Sequence, residues 1–382
     1  MKCIFNGKIL NNGKFVNDKV ILFDETINKI IDESQLDNET IDEKIDAKGK
    51  FIVPGFIDVH IHGYKGHDTM DGDIDTLRII SKSIPENGVT SFLPTTMTMD
   101  VPAIRKALDT IKTLMEEKTY GAEVLGTHLE GPFISEKYKG AQSEEFIKEP
   151  DGEVIQGYED IIKIITIAPE VNGSLDFIEK YTKEYGIRFS IGHSAASYDE
   201  AMAGIEKGIC SCTHFFNAMT GLHHRNPGVV GAVMNSDIRC ELIADTIHVN
   251  PALFNLIARV KGMDKVLLIT DAMMGAGLSD GEYSLGGQKV FLEKGKCMLT
   301  NGTIAGSSLK LNKAIYNFTK HSDYSLEKVI ESATINQAKY IGVEDRKGTL
   351  DIGKDADITI IDDKLDIYYT IGKGKTLYEK SN

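Results

Sequence analysis

Eight short runs rich in aliphatic and β-branched residues recur through the middle of the chain. They read GFIDVHI, GVTSFLPT, AEVLGTHLE, IIKIITIAP, IRFSIGH, GICSCTH, RCELIAD and KVLLITD. Between them lie segments with apolar residues at helical spacing, among them DTLRIISKSIPEN, VPAIRKALDTIKTLMEE, LDFIEKYTKEY and YDEAMAGIEK. Strands that alternate with helices imply a parallel sheet closed by crossover connections. Eight such strands predict an α/β fold, a (β/α)8 barrel of the TIM type rather than an open sheet.

The flanks have a different style. Residues 1–50 and 348–382 consist of short strand-like runs broken by turns, such as CIFNGKILNNGKFVNDKVILFD and DADITIIDDKLDIYYTIGKGK. Neither flank is long enough for a core of its own. Both ends are therefore expected to pair into one small β-sandwich domain, with the barrel spanning 51–347. A further β-rich segment near 280–306 is expected to interrupt the barrel after its eighth strand.

Composition narrows the partners. With 43 Lys and Arg against 57 Asp and Glu, the formal charge is −14, which argues against nucleic acid and anionic membrane surfaces. An anionic substrate would then need cations placed locally. The five cysteines, Cys3, Cys210, Cys212, Cys240 and Cys297, form no CxxC pair, and no apolar run reaches the length of a membrane span. A reduced, cytoplasmic setting is the expectation.

The polar residues that follow the apolar runs carry the chemistry. In a barrel of this kind the carboxyl ends of the strands converge on one mouth. His60 and His62 end the first run and point to the same face, because successive side chains on a strand alternate. Glu130, His193, His214 and Asp271 end four later runs. Imidazoles and carboxylates gathered at one mouth suit zinc, iron or manganese, with a position left open for water. A single strand-end histidine is an ordinary hydrogen-bonded residue; six donors at five strand tips are a metal site. His67, His128 and His321 are expected to be unremarkable, with the orienting of a ligand from behind a lesser alternative for His128, which shares a face with Glu130; Cys210 and Cys212 are expected to be core thiols.

Seven motifs, in order, then extend the reading: PGFIDVHIHG, HLEGPF, GHS, THFFNAM, HHRNPGVVGA, IADTIHV and LITDAM. Together they resemble the N-acetylglucosamine-6-phosphate deacetylase family of the amidohydrolase superfamily, and GTLDIGKDADITII resembles the segment that returns such chains to their β-domain. HLEGPF and HHRNPG are specific to that family, whereas PGFIDVHIHG marks only the superfamily. The resemblance implies that Glu130, His193 and His214 hold one divalent metal, and that Asp271 is the catalytic carboxylate. Because His60 and His62 are kept, it also allows a second metal, bridged by Glu130 and touching Asp271. Asn217, Ala218, Arg225 and His248 match residues that hold the sugar phosphate. The arginine reaches into a neighbouring subunit's site in that family, which implies a homodimer. Gln142 stands where many members have a histidine that touches the acetyl carbonyl, so this contact becomes a neutral amide donor. His223 and His224 are expected at the rim.

The implied reaction is hydrolysis of the acetamide to acetate and glucosamine 6-phosphate, in amino-sugar catabolism and cell-wall sugar recycling. Asp271 would act first as base and then as acid. Two other readings stand beside it: another amidohydrolase, such as a deaminase or cyclic amidase, and a non-catalytic barrel scaffold. The first rival would have no use for Arg225, and the second would be expected to lose donors that this chain retains.

Overall fold

The computed structural model describes residues 1–117 and 121–381. Eight strands form the centre: β1 (Phe56–Ile61), β2 (Val89–Pro94), β3 (Thr127–Glu130), β4 (Ile162–Ile167), β5 (Arg188–Ile191), β6 (Ile209–Cys212), β7 (Arg239–Ile243) and β8 (Val266–Ile269). β1 pairs with β2 in parallel, and β3 through β8 form one continuous parallel sheet. Two seams complete the ring. Thr95 bridges His128, with the Thr96 amide donating to the His128 carbonyl at 3.0 Å. Ile61 bridges Ala272, with the Asp271 amide donating to the His60 carbonyl at 2.9 Å. Both seams are tied at the carboxyl ends of the strands. The result is a TIM-type barrel, as the alternation of runs predicts.

Every residue of β1, β2, β3 and β8 is buried, which is why these runs read as continuous apolar stretches rather than alternating ones. One run departs from expectation. AEVLGTHLE is two pieces, Glu123–Val124 beside β2 and then β3, because Gly126 turns the chain at a φ of 139°. A Cβ there would sit 2.5 Å from the Ile161 carbonyl oxygen, so only glycine fits.

The expected helices form at Ile74–Ser83, Val101–Glu116, Ser174–Tyr185 and Tyr198–Lys207. Their starts are written locally. Asp73 and Asp100 accept from the Thr76 and Ala103 amides, and Ser197 forms a reciprocal box with Glu200. Between β3 and β4 the described chain makes only 3-10 turns, and this irregular crossover carries Gln142. An antiparallel meander, Gly281–Leu285, Gln288–Glu293 and Lys296–Leu299, follows β8. Among the described residues no helix is long and apolar enough to cross a membrane.

Outside the barrel, two sheets combine both ends of the chain. Ile358–Ile361 pairs with Phe51–Pro54, and Lys8–Asn11 lies on the other side of that strand. Phe51–Pro54 therefore runs in the terminal sheet, past the boundary drawn at residue 50. A second sheet orders Ile27–Asp32, Lys19–Phe23, Lys2–Phe5 and Glu43–Asp46. Ile4, Ile9, Phe23, Ile52, Ile358 and Ile371 share one core between them.

A buried ion cluster locks this part to the barrel. Lys347, 1% exposed, reaches Glu123 at 2.7 Å, Asp355 at 3.0 Å and Asp357 at 2.6 Å. Arg346 and Lys373 add bonds to Glu123, so three cations meet three carboxylates. Burial would raise the Glu123 carboxyl, but Lys347 and Arg346 outweigh it and hold the group down at about 2. That stabilisation is complete above the unfolded value of about 4.3 and is lost as the pH falls towards 2. Breaking a buried pair from one side costs about 3–5 kcal/mol. Lys347→Met should therefore lower unfolding stability by about that amount in denaturant titrations near neutral pH, while leaving the metal content unchanged. A loss below about 1 kcal/mol would mean that the cluster is effectively solvated.

Candidate metal centre and cleft

The strand-end donors meet at the barrel mouth. His60 lies within β1 and His62 one residue beyond it; Glu130 is the last residue of β3. His193, His214 and Asp271 each stand two residues past the end of β5, β6 and β8. These three adopt left-handed backbone, with φ of 47°, 30° and 51°. Such conformations cost of order 1–3 kcal/mol for a non-glycine residue and persist only where the surroundings enforce them. Here each one turns the chain at a strand end, where the side chain is delivered to the mouth.

Glu130 is the hub. Its Oε1 lies 3.2 Å from His193 Nε2 and 3.0 Å from His214 Nε2, and those two nitrogens are 3.1 Å apart. Its Oε2 lies 3.3 Å from His62 Nε2, which is 3.3 Å from His60 Nε2. Asp271 Oδ1 closes the second group at 3.2 Å from His62 and 3.6 Å from His60. Tetrahedral ligands about 2.0–2.1 Å from a zinc-sized ion stand about 3.3 Å from one another. Both groups match that spacing, and two imidazole nitrogens in contact need a proton or a cation between them. This donor set suits a divalent metal ion.

The electrostatics agree. Burial opposes charge on His60, yet Glu130, Glu241 and Asp271 outweigh it and raise the imidazole to about 9. His62 is likewise raised, with burial again overcome by its bonds to Asp271 and Glu130. Burial would also raise Glu130, but His60, His193, His214 and His62 hold its carboxyl well below the usual range. Buried carboxylates at this mouth demand positive charge, which protons or metal can supply.

The remaining candidates divide. Gln142 accepts from the Thr98 amide at 2.7 Å and donates to Glu130 Oε2 at 2.8 Å. His248 Nδ1 pairs with Asp245 at 2.6 Å, and Asn217 donates to the carbonyls of His214 and Phe215 at 3.1 and 3.3 Å. Gln142, Asn217, Ala218, His248 and Asp271 line one cleft with the cluster, alongside the apolar side chains of Met97, Leu285 and Ile304. Arg225 is not brought there. It is exposed within 221–226, where its guanidinium donates to His224 Nε2 at 2.8 Å. His128 bonds to the Val59 carbonyl and the Thr166 hydroxyl and packs edge-on against His60 at 4.6 Å, so it buttresses a ligand without touching Glu130. The five cysteines are free thiols.

Two residues that hold candidate site histidines escape the motif reading. Glu241 is fully buried in β7 and accepts from His60 Nδ1 at 2.9 Å. Its signal was an acid in the middle of an apolar strand, RCELI. Asp245, three residues before His248, was visible only as an acid in IADTIHV.

Comparison with known proteins is consistent across sequence and structure. Residues 51–377 match the Amidohydrolase family. An N-acetylglucosamine-6-phosphate deacetylase from Bacillus subtilis (strain 168) is 40% identical over 86% of this chain and 84% of its own length. An N-acetylgalactosamine-6-phosphate deacetylase from Escherichia coli O157:H7 is 35% identical over 83% of this chain and 85% of its own. The crystal structure of N-acetylglucosamine-6-phosphate deacetylase from Pasteurella multocida superposes with a TM-score of 0.93 at 30% identity, covering 100% of both chains.

Metal analysis tests the donor assignment. Protein purified without chelator should carry one to two divalent ions per chain. His193→Ala should lose the ion held with Glu130 and His214; a variant that kept the full content would refute that set.

Proposed function

Because the chain belongs to the amidohydrolase family, we propose that it hydrolyses the acetamide of N-acetylglucosamine 6-phosphate to glucosamine 6-phosphate and acetate. The observation that carries this reading is the Glu130-centred cluster opening, with Asp271, into a cleft also lined by Asn217, Ala218 and His248. Glu130, His193 and His214 would hold one divalent ion, and His60, His62, Glu130 and Asp271 a second. Nitrogen and oxygen donors without sulfur favour zinc or iron. When bound, such an ion polarises a carbonyl and acidifies water towards neutrality.

The chain's own groups do the rest. Burial would raise Asp271, but His60 and His62 outweigh it and keep its carboxyl below the usual range, so it is a proton acceptor at neutral pH. It takes the proton of the attacking water and returns it to the leaving amine. Gln142 spends one N–H on Glu130 and keeps another for the acetyl oxygen, where negative charge develops. Hydrogen bonding to Asp245 raises His248 against the effect of burial, which favours its charged form beside a phosphate.

Among the described residues, those that line the cleft include no Lys or Arg. A sugar phosphate therefore needs a cation from elsewhere, and the exposed Arg225 of a second copy is the proposed source. In this reading the protein is a homodimer with Arg225 crossing the interface.

Acetate release from N-acetylglucosamine 6-phosphate, by metal-stripped protein and after zinc or iron is restored, tests the activity. The galactosamine epimer and unphosphorylated N-acetylglucosamine serve as comparisons. Asp271→Asn should lower kcat by about 100- to 10,000-fold, and a loss below tenfold would assign the proton to another group. Arg225→Ala should reduce kcat/KM for the phosphorylated sugar by about a hundredfold, equivalent to about 2.8 kcal/mol. Its effect on the unphosphorylated sugar should be small. Equal turnover of both sugars by the unmodified enzyme would instead favour a general amidase.

A further inference from the structure

The imidazoles of the cluster are not oriented alike. His62 Nδ1 donates to the Thr95 carbonyl at 3.2 Å and His193 Nδ1 to the Tyr138 carbonyl at 3.0 Å, while His214 Nδ1 has no partner among the described residues. His60 Nδ1 instead meets a carboxylate, Glu241 Oε2 at 2.9 Å. The same oxygen also accepts from the His214 backbone amide at 3.3 Å, so one side chain touches both halves of the cluster. Glu241 is 0% exposed, and its other oxygen has no hydrogen-bond partner among the described residues. It does not line the cleft. A buried, half-satisfied carboxylate is costly.

We propose that Glu241 is a positioning residue that holds His60 in its Nδ1–H tautomer and thereby makes the His60–His62 pair a cation position. The reasoning is one of donors and acceptors. The Glu241 oxygen accepts from His60, so Nδ1 keeps its proton and Nε2 is the nitrogen left to give up its own to a cation. That nitrogen faces His62 Nε2 at 3.3 Å, with Glu130 and Asp271 oxygens both at 3.6 Å. Without Glu241, a neutral His60 could place its proton on Nε2 and donate it to Glu130 or Asp271. That hydrogen bond would occupy the lone pair a cation needs. Glu241 also adds negative charge behind His60. The inference rests on the cluster being a divalent-ion site and concerns only its second position.

The test is a zinc titration of metal-free protein against a chromophoric chelator. Wild type should show two binding steps. Glu241→Gln keeps the size and should weaken the second step about 10- to 100-fold while leaving the first in place; Glu241→Asp should fall between. An unchanged second step in Glu241→Gln overturns the proposal. So does a wild type that takes up a single ion, although the Glu130–His193–His214 assignment would then survive if His193→Ala abolished that uptake. Should the Gln variant fail to fold, 15N resonances of the histidine rings in zinc-loaded wild type decide the matter. His60, identified by the signal missing from His60→Gln, must show a protonated Nδ1. An unprotonated Nδ1 there overturns the proposal.

Discussion

The carboxylate of Glu130 is the contact on which the rest of the mouth is organised. Its Oε1 meets His193, His214 and, at 3.6 Å, His60, while its Oε2 meets His62. A buried carboxylate is stable only among positive partners, and four imidazoles alone supply charge only when protonated or metal-bound. The barrel therefore holds a cluster whose charge is balanced only by added protons or a metal ion. Gln142 and Asp271 are attached to the same cluster, one through Glu130 and the other through His62. In the proposed reading, amide hydrolysis would draw on Asp271 as proton acceptor and Gln142 as hydrogen-bond donor beside that charge.

The fold serves this arrangement at a local cost. His193, His214 and Asp271 hold left-handed backbone at the ends of their strands. The seams that close the ring run through Thr95–His128 and Ile61–Ala272, next to His60, His62 and Asp271. Closure of the barrel and delivery of the donors are thus one structural event. A change that loosened either seam would move His60, His62 or Asp271 directly.

The terminal sheets stand behind this mouth as support. Strands from both ends of the chain pair through Phe51–Pro54, which leads into β1 after Gly55. Lys347 ties Asp355 and Asp357 of the returning segment to Glu123 beside β2. The charges in that cluster balance, so its contribution is one of docking and register rather than net attraction.

Much of this was legible before any coordinates. Period and spacing identified strands and helices, because burial on both faces of a parallel strand leaves a continuous apolar run. Polar residues that break off such runs, His60, His62, Glu130, His193, His214 and Asp271, announced the donors, since a barrel gathers its strand ends. Other features belong to the tertiary structure alone. Glu241 and His60 are 181 positions apart, and no local pattern links an acid in one strand to an imidazole across the barrel. The split at Gly126 depended on the Ile161 carbonyl oxygen, and the place of Phe51–Pro54 depended on a strand more than 300 residues later. The sequence by itself determined which groups were present and that they would converge. Which nitrogen faces which oxygen was decided only when the strands closed into a ring, because hydrogen-bond direction is a property of neighbours distant in the chain.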